Sequence, residues 1–337
     1  MSHQHEPGEA LLDELLAALQ ATFGRHPGQR ATHAKGLVAS GSFTASAAAG
    51  RLSRAAHFQG QAVPVTLRLS NFSGIPQTPD SDPSASPHGL GLRFHAGAGA
   101  GAGAGSESES GGGAETDIVA HSFDGFPVAT AEAFLAFLQG IAASLAEPSP
   151  DPAPLERFLA GHATARHYLA AAKPAPRSYA SIAYFGVNAF RLVAADGTLS
   201  TGRYRIDPMP AQDPVPAAEL AALGDDYLAE ELAERLTRGP VSMRLVFQLA
   251  GVGDDSADGS LAWPHTGPDA REEVVLGELR IEALAADQAQ AARGLALDPG
   301  RLIDGLMLSD DPMVPLRSAV YRLAASRRAF PPTNPPK

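Results

Sequence analysis

Cysteine is absent from all 337 residues. That excludes disulfides, iron–sulfur clusters, thiolate zinc sites and cysteine nucleophiles, and leaves nitrogen and oxygen donors for any metal. Lysine is nearly absent as well, occurring only as Lys35, Lys173 and Lys337. The net charge is −11 with no long basic run to offset it, which argues against general nucleic-acid binding. No apolar run approaches the ~20 residues that span a bilayer. Residues 1–8 lack the basic start and apolar core of a secretion signal. The expectation is a soluble, cytoplasmic protein with no membrane or nucleic-acid partner. A hydrophobic fraction of 44% is that of a chain able to bury a core. The length suits one large β-rich domain with helical additions, or two smaller domains.

What is present falls into short periodic segments. Leu11, Leu12, Leu15, Leu16 and Leu19 form a helical stripe over 9–23, stopped by Gly24 and His26-Pro27-Gly28. Runs bounded by turn residues predict strands at 36–44, 63–70, 89–94, 117–121, 181–193, 200–206, 242–250 and 274–281. Helices are expected at 131–143, 155–172, 217–237 and 283–293, with a linker at 148–154 and a tail at 329–337. The Gly/Ala/Ser/Glu tract 96–114 has no means of packing and is expected to be a disordered surface loop. Its GxG patterns precede no suitable helix, so no dinucleotide site is expected. Val65, Leu67 and Leu69 alternate with Thr66, Arg68 and Ser70, which puts Arg68 and Ser70 on one face. On the inward face of a barrel strand such residues would need a polar ligand. Strands this far apart in sequence suit an α+β protein with an antiparallel β-barrel core and surrounding helices.

Two segments carry chemistry. Arg30-Ala31-Thr32-His33-Ala34-Lys35-Gly36 sets a histidine beside cations and ahead of a glycine. A neutral imidazole can take a proton from one peroxide oxygen and return it to the other. Arg317-Ser318-Ala319-Val320-Tyr321 sets an arginine and a tyrosine four residues apart, on one helix face. Taken singly, His33 reads as an ordinary core or surface histidine, and Arg317 with Tyr321 as an exposed helix pair.

In order along the chain, these segments resemble the haem catalases. The His33 segment, followed by Gly41-Ser42-Phe43, is similar to the distal-histidine segment of that superfamily. Thr66-Leu67-Arg68-Leu69-Ser70 resembles its Val-Arg-Phe-Ser strand, and Pro87-His88-Gly89-Leu90-Gly91-Leu92-Arg93-Phe94 its next turn and strand. Asp117-Ile118-Val119-Ala120 resembles Asp-Leu-Val-Gly, and 184–193 a later barrel strand. The matching blocks are collinear from Arg30 to Arg328. The resemblance implies one catalase-like domain over 1–337 that binds haem, expected to be haem b, with Tyr321 as the axial ligand of the iron and Arg317 beside it. It implies that Arg30, Arg68 and Arg328 hold the propionates, with Arg327 as the alternative to Arg328. It further implies that Ser70 orients His33 and that Phe134 packs over the haem, although Phe134 also reads as plain helix core.

Three departures stand out. His121 occupies the place of the distal asparagine, with Ser122 next to it, which puts full catalase turnover in doubt. Thr32 stands where full-length catalases usually carry valine and the catalase-fold allene oxide synthases carry threonine. The chain also lacks the long arm, wrapping segment and helical domain of full catalases, and so resembles the compact catalase-related peroxidases, with a shorter and wider channel. The expected activity is reduction of hydrogen peroxide or organic hydroperoxides by a small organic donor, with weak catalase activity alongside. The alternatives are a fatty-acid hydroperoxide isomerase and a non-enzymatic haem-binding barrel. Helical edges at 9–23 and 217–237 could serve a homo-oligomer or simply the core.

Overall fold

The computed structural model describes residues 8–97, 114–146, 151–209 and 212–329. The body of the 96–114 tract, the first three residues of the 148–154 linker and all but the first residue of the 329–337 tail lie outside the described residues.

Among those residues, nine strands and nine α-helices follow in sequence. The strands are β1 (Gly36–Ala45), β2 (Val63–Ser70), β3 (Gly89–His95), β4 (Glu115–His121), β5 (Tyr184–Val193), β6 (Leu199–Pro208), β7 (Val241–Leu249), β8 (Glu273–Leu284) and β9 (Leu306–Leu308). The helices are α1 (Glu9–Phe23), α2 (Ala47–Leu52), α3 (Ala131–Ser144), α4 (Ala153–Gly161), α5 (Ala163–Ala170), α6 (Ala217–Leu220), α7 (Tyr227–Arg238), α8 (Gln288–Gly294) and α9 (Met313–Ala329). The first eight strands pair antiparallel in the order β4-β3-β2-β1-β8-β7-β6-β5, and a β4–β5 pairing at His121 and Phe185 closes the barrel. Strand β9 adds to the side of β5. Closure removes the exposed strand edges of an open sheet.

The barrel is filled by alternate side chains from all eight strands, among them Phe43, Val65, Leu67, Leu69, Leu92, Phe94, Tyr184, Tyr204, Met243, Phe247 and Leu279. Gly41 permits the tightest strand approach. It sits at the β1–β8 bulge, where a Cβ would stand 1.8 Å from the carbonyl oxygen of Arg280. Val65, Leu67 and Leu69 therefore face inward, and Arg68 and Ser70 share the outward face, a direction that alternation alone leaves open. Both are still only 3% exposed, because helices cover that side. Leu15 and Ala18 of α1, Leu135 and Leu138 of α3, and Met313 and Leu316 of α9 form a second apolar cluster there.

Three expected helices differ in extent, each for a local reason. The 155–172 segment breaks at His162, whose ring stacks on Phe158 at 3.9 Å and pairs with the Phe158 carbonyl at 2.8 Å. The 217–237 segment breaks around Gly224, where the Asp225 carbonyl accepts from the Asp80 backbone N–H at 2.8 Å and from Lys35 Nζ at 2.6 Å. The helix expected from 283 begins at Gln288, because β8 stays paired with β1 as far as Leu284. Asp287 caps α8 through the Gln290 N–H at 2.9 Å.

His57 is fully buried against Phe58 (4.1 Å) and stacked on Phe94 (4.5 Å), and neither ring nitrogen has a partner. Burial lowers its pKa to about 3. The unfolded chain takes up a proton here below about pH 6.5 and the folded chain does not. This group's share of stability is therefore complete above that pH and is lost as pH falls towards 3. His57→Phe keeps the stacking and removes the titration. Urea unfolding between about pH 4.5 and 6 should give a stability-against-pH slope lower by about 1.4 kcal/mol per pH unit than in the parent. An unchanged slope would contradict this reading of His57.

Candidate active site

Two adjoining cavities lie between the outer face of β2–β4 and the cover formed by α1, α3, α9 and the 295–297 segment. They share Leu19, Thr32, His33, Val320 and Tyr321 in their walls, and enclose about 800 and 1110 Å³ counted to their mouths. All ten residues singled out in the sequence line one or both. Arg30, Arg68, Ser70 and Arg328 line the first; His121, Phe134 and Arg317 line the second; Thr32, His33 and Tyr321 line both.

His33 enters the space from the loop before β1. Its backbone is left-handed (φ 54°), a conformation that costs a non-glycine residue about 1 kcal/mol or more. Three hydrogen bonds hold it: its N–H donates to Phe72 O at 2.8 Å, the next N–H donates to Ser73 O at 3.0 Å, and Arg68 Nη2 donates to the His33 carbonyl at 2.7 Å. The imidazole Nδ1 lies 3.1 Å from Ser70 Oγ, whose hydroxyl donates to Gly89 O at 3.5 Å. In the tautomer where Ser70 accepts from Nδ1–H, Nε2 is the basic nitrogen. Burial, followed by the charge of Arg68, lowers the His33 pKa to about 3, so the ring is a neutral base at physiological pH. A side chain at Gly89 would not fit: its Cβ would stand 2.7 Å from His33 Nδ1 and 2.8 Å from Ser70 Oγ. Lys35, adjacent in sequence, turns away and pairs with Asp80 at 2.8 Å and Asp226 at 2.7 Å.

His121 ends β4 with both ring nitrogens buried and unpartnered. Burial, then Arg317 and Lys173, lowers its pKa to about 3. Ser122 does not share this position, because its Oγ accepts the His88 N–H at 2.9 Å.

Arg30, Arg68 and Arg328 converge on the first cavity. Burial, then Arg68 and Arg328, lowers the Arg30 pKa to about 8. Arg68 falls to about 10 through burial, although Tyr179 opposes the shift. Burial also lowers Arg328. Arg30 donates to the carbonyls of Ala292 (3.0 Å) and Leu295 (2.8 Å), and Arg68 Nε is buried without a partner. Among the described residues, no carboxylate lines either cavity. Buried cations of this kind call for an anion. Arg327, the alternative to Arg328, instead pairs with Asp13 on the surface.

Helix α9 supplies Arg317 and Tyr321. Arg317 Nη2 donates to Tyr321 Oη at 3.2 Å and Nη1 donates to Asn188 Oδ1. Asn188 Nδ2 donates to Asp311 Oδ2 at 2.7 Å, and Asp311 Oδ1 accepts the Met313 N–H at 2.8 Å where α9 begins. Sequence reasoning assigned no role to Asn188 or Asp311. They are 123 residues apart, and neither sits in a pattern that names its partner. Phe134 has both of the characters expected of it: it lines the second cavity and packs on Phe126 at 5.1 Å.

The family model for catalase matches residues 3–334. A catalase-related peroxidase of Mycolicibacterium paratuberculosis is 32% identical over 323 residues, covering 94% of this chain and 94% of that protein. A catalase-related peroxidase of Synechococcus elongatus is 30% identical over 319 residues, covering 94% and 88%. Two solved structures share the fold. A bacterial catalase superposes with a TM-score of 0.72 at 22% identity over 95% of this chain. A fungal catalase does so with 0.76 at 18% identity over 98%. The chain spans 61% and 65% of the length of those two structures.

The Asn188 bridge has a measurable weight. Asn188→Leu keeps the volume but leaves Asp311 and Arg317 facing an apolar group. Urea unfolding should show a loss of about 3 kcal/mol. A loss below about 0.5 kcal/mol would mean that solvent satisfies both groups.

Proposed function

The chain belongs to the catalase family, whose members are haem-dependent oxidoreductases acting on peroxide, and on that premise we propose that it is a haem peroxidase. It reduces hydrogen peroxide or an organic hydroperoxide with two electrons and two protons (ROOH + 2 e⁻ + 2 H⁺ → ROH + H₂O), the electrons coming from a small organic donor. The observation that carries this reading is the convergence of three uncompensated arginines, a tyrosine backed by Arg317, and a neutral histidine on one continuous space.

The residues fit a haem. Arg30, Arg68 and Arg328 would hold its propionates, with the buried, unpartnered Arg68 Nε among the available donors. Tyr321 would supply the oxygen ligand to iron, and Phe134 an apolar face. Among the described residues, no group of three or more His, Asp or Glu side chains is placed to hold a metal ion. With no cysteine in the chain, thioether attachment is unavailable, in keeping with haem b. When bound, the haem supplies a ferric Lewis acid and the site of electron storage.

His33 Nε2 accepts the proton from the inner peroxide oxygen and returns it to the outer oxygen, which leaves as water or alcohol. Ser70 fixes the tautomer that makes this possible. His121 lines the second cavity with both ring nitrogens unpartnered, and would orient the peroxide where the family carries a carboxamide. Arg317, braced by Asn188 and Asp311, steadies the Tyr321 oxygen. Thr32 and the apolar second cavity support a second reading, donor-free isomerisation of a lipid hydroperoxide; consumption of peroxide without any donor would identify it.

Donor oxidation by the holo-protein should be readily measurable with hydrogen peroxide or cumene hydroperoxide. It should fall about 10²–10⁴-fold in His33→Ala, with haem content retained. Failure of the parent holo-protein to oxidise any phenolic or dye donor would contradict the peroxidase reading. Unchanged rates in His33→Ala would remove the proton shuttle.

A further inference from the structure

The second cavity runs on beyond Tyr321 and His33. Thr22 and Phe23 of α1, Phe137 and Ile141 of α3, and Tyr168 and Leu169 of α5 line this arm. None of these helices carries a haem-facing cation or the iron ligand. The lining is apolar apart from the Thr22 hydroxyl, which donates back to Ala18 O at 3.0 Å, and the tyrosine. Leu169 is 42% exposed and marks where the wall meets solvent.

Behind Tyr168 of that wall, outside the cavity lining itself, stands Lys173. Its Nζ donates to the carbonyls of Tyr168 and, at 3.2 Å, Ala171, and lies 4.6 Å from the Tyr168 ring centroid and 4.8 Å from that of Phe123. It has no carboxylate partner among the described residues, whereas Lys35 has two. Its charge reaches His121, inside the same cavity. A half-buried ammonium held only by carbonyls and ring faces gains from an added anion. An apolar arm behind it selects an anion that carries a long hydrocarbon chain.

We propose that the arm is a subsite for long-chain carboxylates, in which a hydroperoxy acid lays its chain between α1, α3 and α5 and pairs its carboxylate with Lys173. The inference deepens the peroxide-reducing reading and rests on it for turnover. Peroxide and donor balance as above, the product being the corresponding hydroxy acid and water. Binding does not depend on turnover.

Calorimetric titration of the holo-protein with dodecanoate and with 1-dodecanol separates head-group from chain recognition. Dodecanoate should bind about tenfold more tightly. The gap should close in Lys173→Gln, return in Lys173→Arg, and narrow as salt is raised. Equal affinities in the parent protein, or a gap that Lys173→Gln retains, would overturn the subsite. Cumene hydroperoxide turnover by the same preparation reports separately on the peroxidase. Turnover without an affinity gap sinks the subsite alone, and a gap without turnover sustains the subsite while sinking the peroxidase.

Discussion

Positive charge buried without an opposing carboxylate is the constraint around which this site is organised. Arg30, Arg68 and Arg328 face one cavity, and their lowered pKa values show the strain of burial and mutual repulsion. Removing a charge from water costs several kcal/mol unless it is paired, and carbonyl contacts from Ala292, Leu295, His33 and Ala34 offset only part of that. The barrel makes the arrangement tolerable. Its interior is filled by the inward faces of β1–β8, so the outward face of β2 is free to carry Arg68 and Ser70 beneath a helical cover. A dianionic, largely apolar ligand would offset most of this charge and match the cavity's apolar walls.

The same outward face holds His33, the proposed proton-transfer group. Arg68 ties down the carbonyl of His33 in its left-handed conformation, while Ser70, two residues further along the strand, holds the ring through Nδ1 at 3.1 Å. One strand thus serves both the cationic pocket and the base. On the opposite wall, a chain of hydrogen bonds from the start of α9 through Asp311, Asn188 and Arg317 reaches Tyr321. Hydrogen bonds from β2 and the segment after it to the His33 loop, and from the start of α9 to Arg317, therefore hold the two groups that would face either side of a flat prosthetic group.

Much of this was legible in the sequence because the informative residues lie in compact, ordered blocks. The bounds of α1 and β2 follow from leucine spacing and from strict alternation. The ten singled-out side chains, spread from Arg30 to Arg328, line adjoining cavities. What alternation could not supply was direction: the two faces of β2 differ in composition, but only the closed barrel decides which one turns inward. Helix continuity across His162 and Gly224 was over-extended, since apolar periodicity does not register a ring capping its own helix or an aspartate and a lysine gripping a turn from 140 or more residues away. Asn188, Asp311 and Lys173 were silent for a similar reason, their meaning lying in partners that the chain brings near only when folded. Short elements such as α2 and β9 are set by tertiary pairing rather than by their own pattern.

The central claim is that Tyr321 provides the oxygen that holds iron in the space facing His33. Its most direct test is the visible spectrum of haem-loaded protein, parent against Tyr321→Phe. The parent should show high-spin ferric haem with a phenolate ligand, and the variant should lose that signature and retain haem poorly. Identical spectra and equal haem retention in the two proteins would contradict the claim.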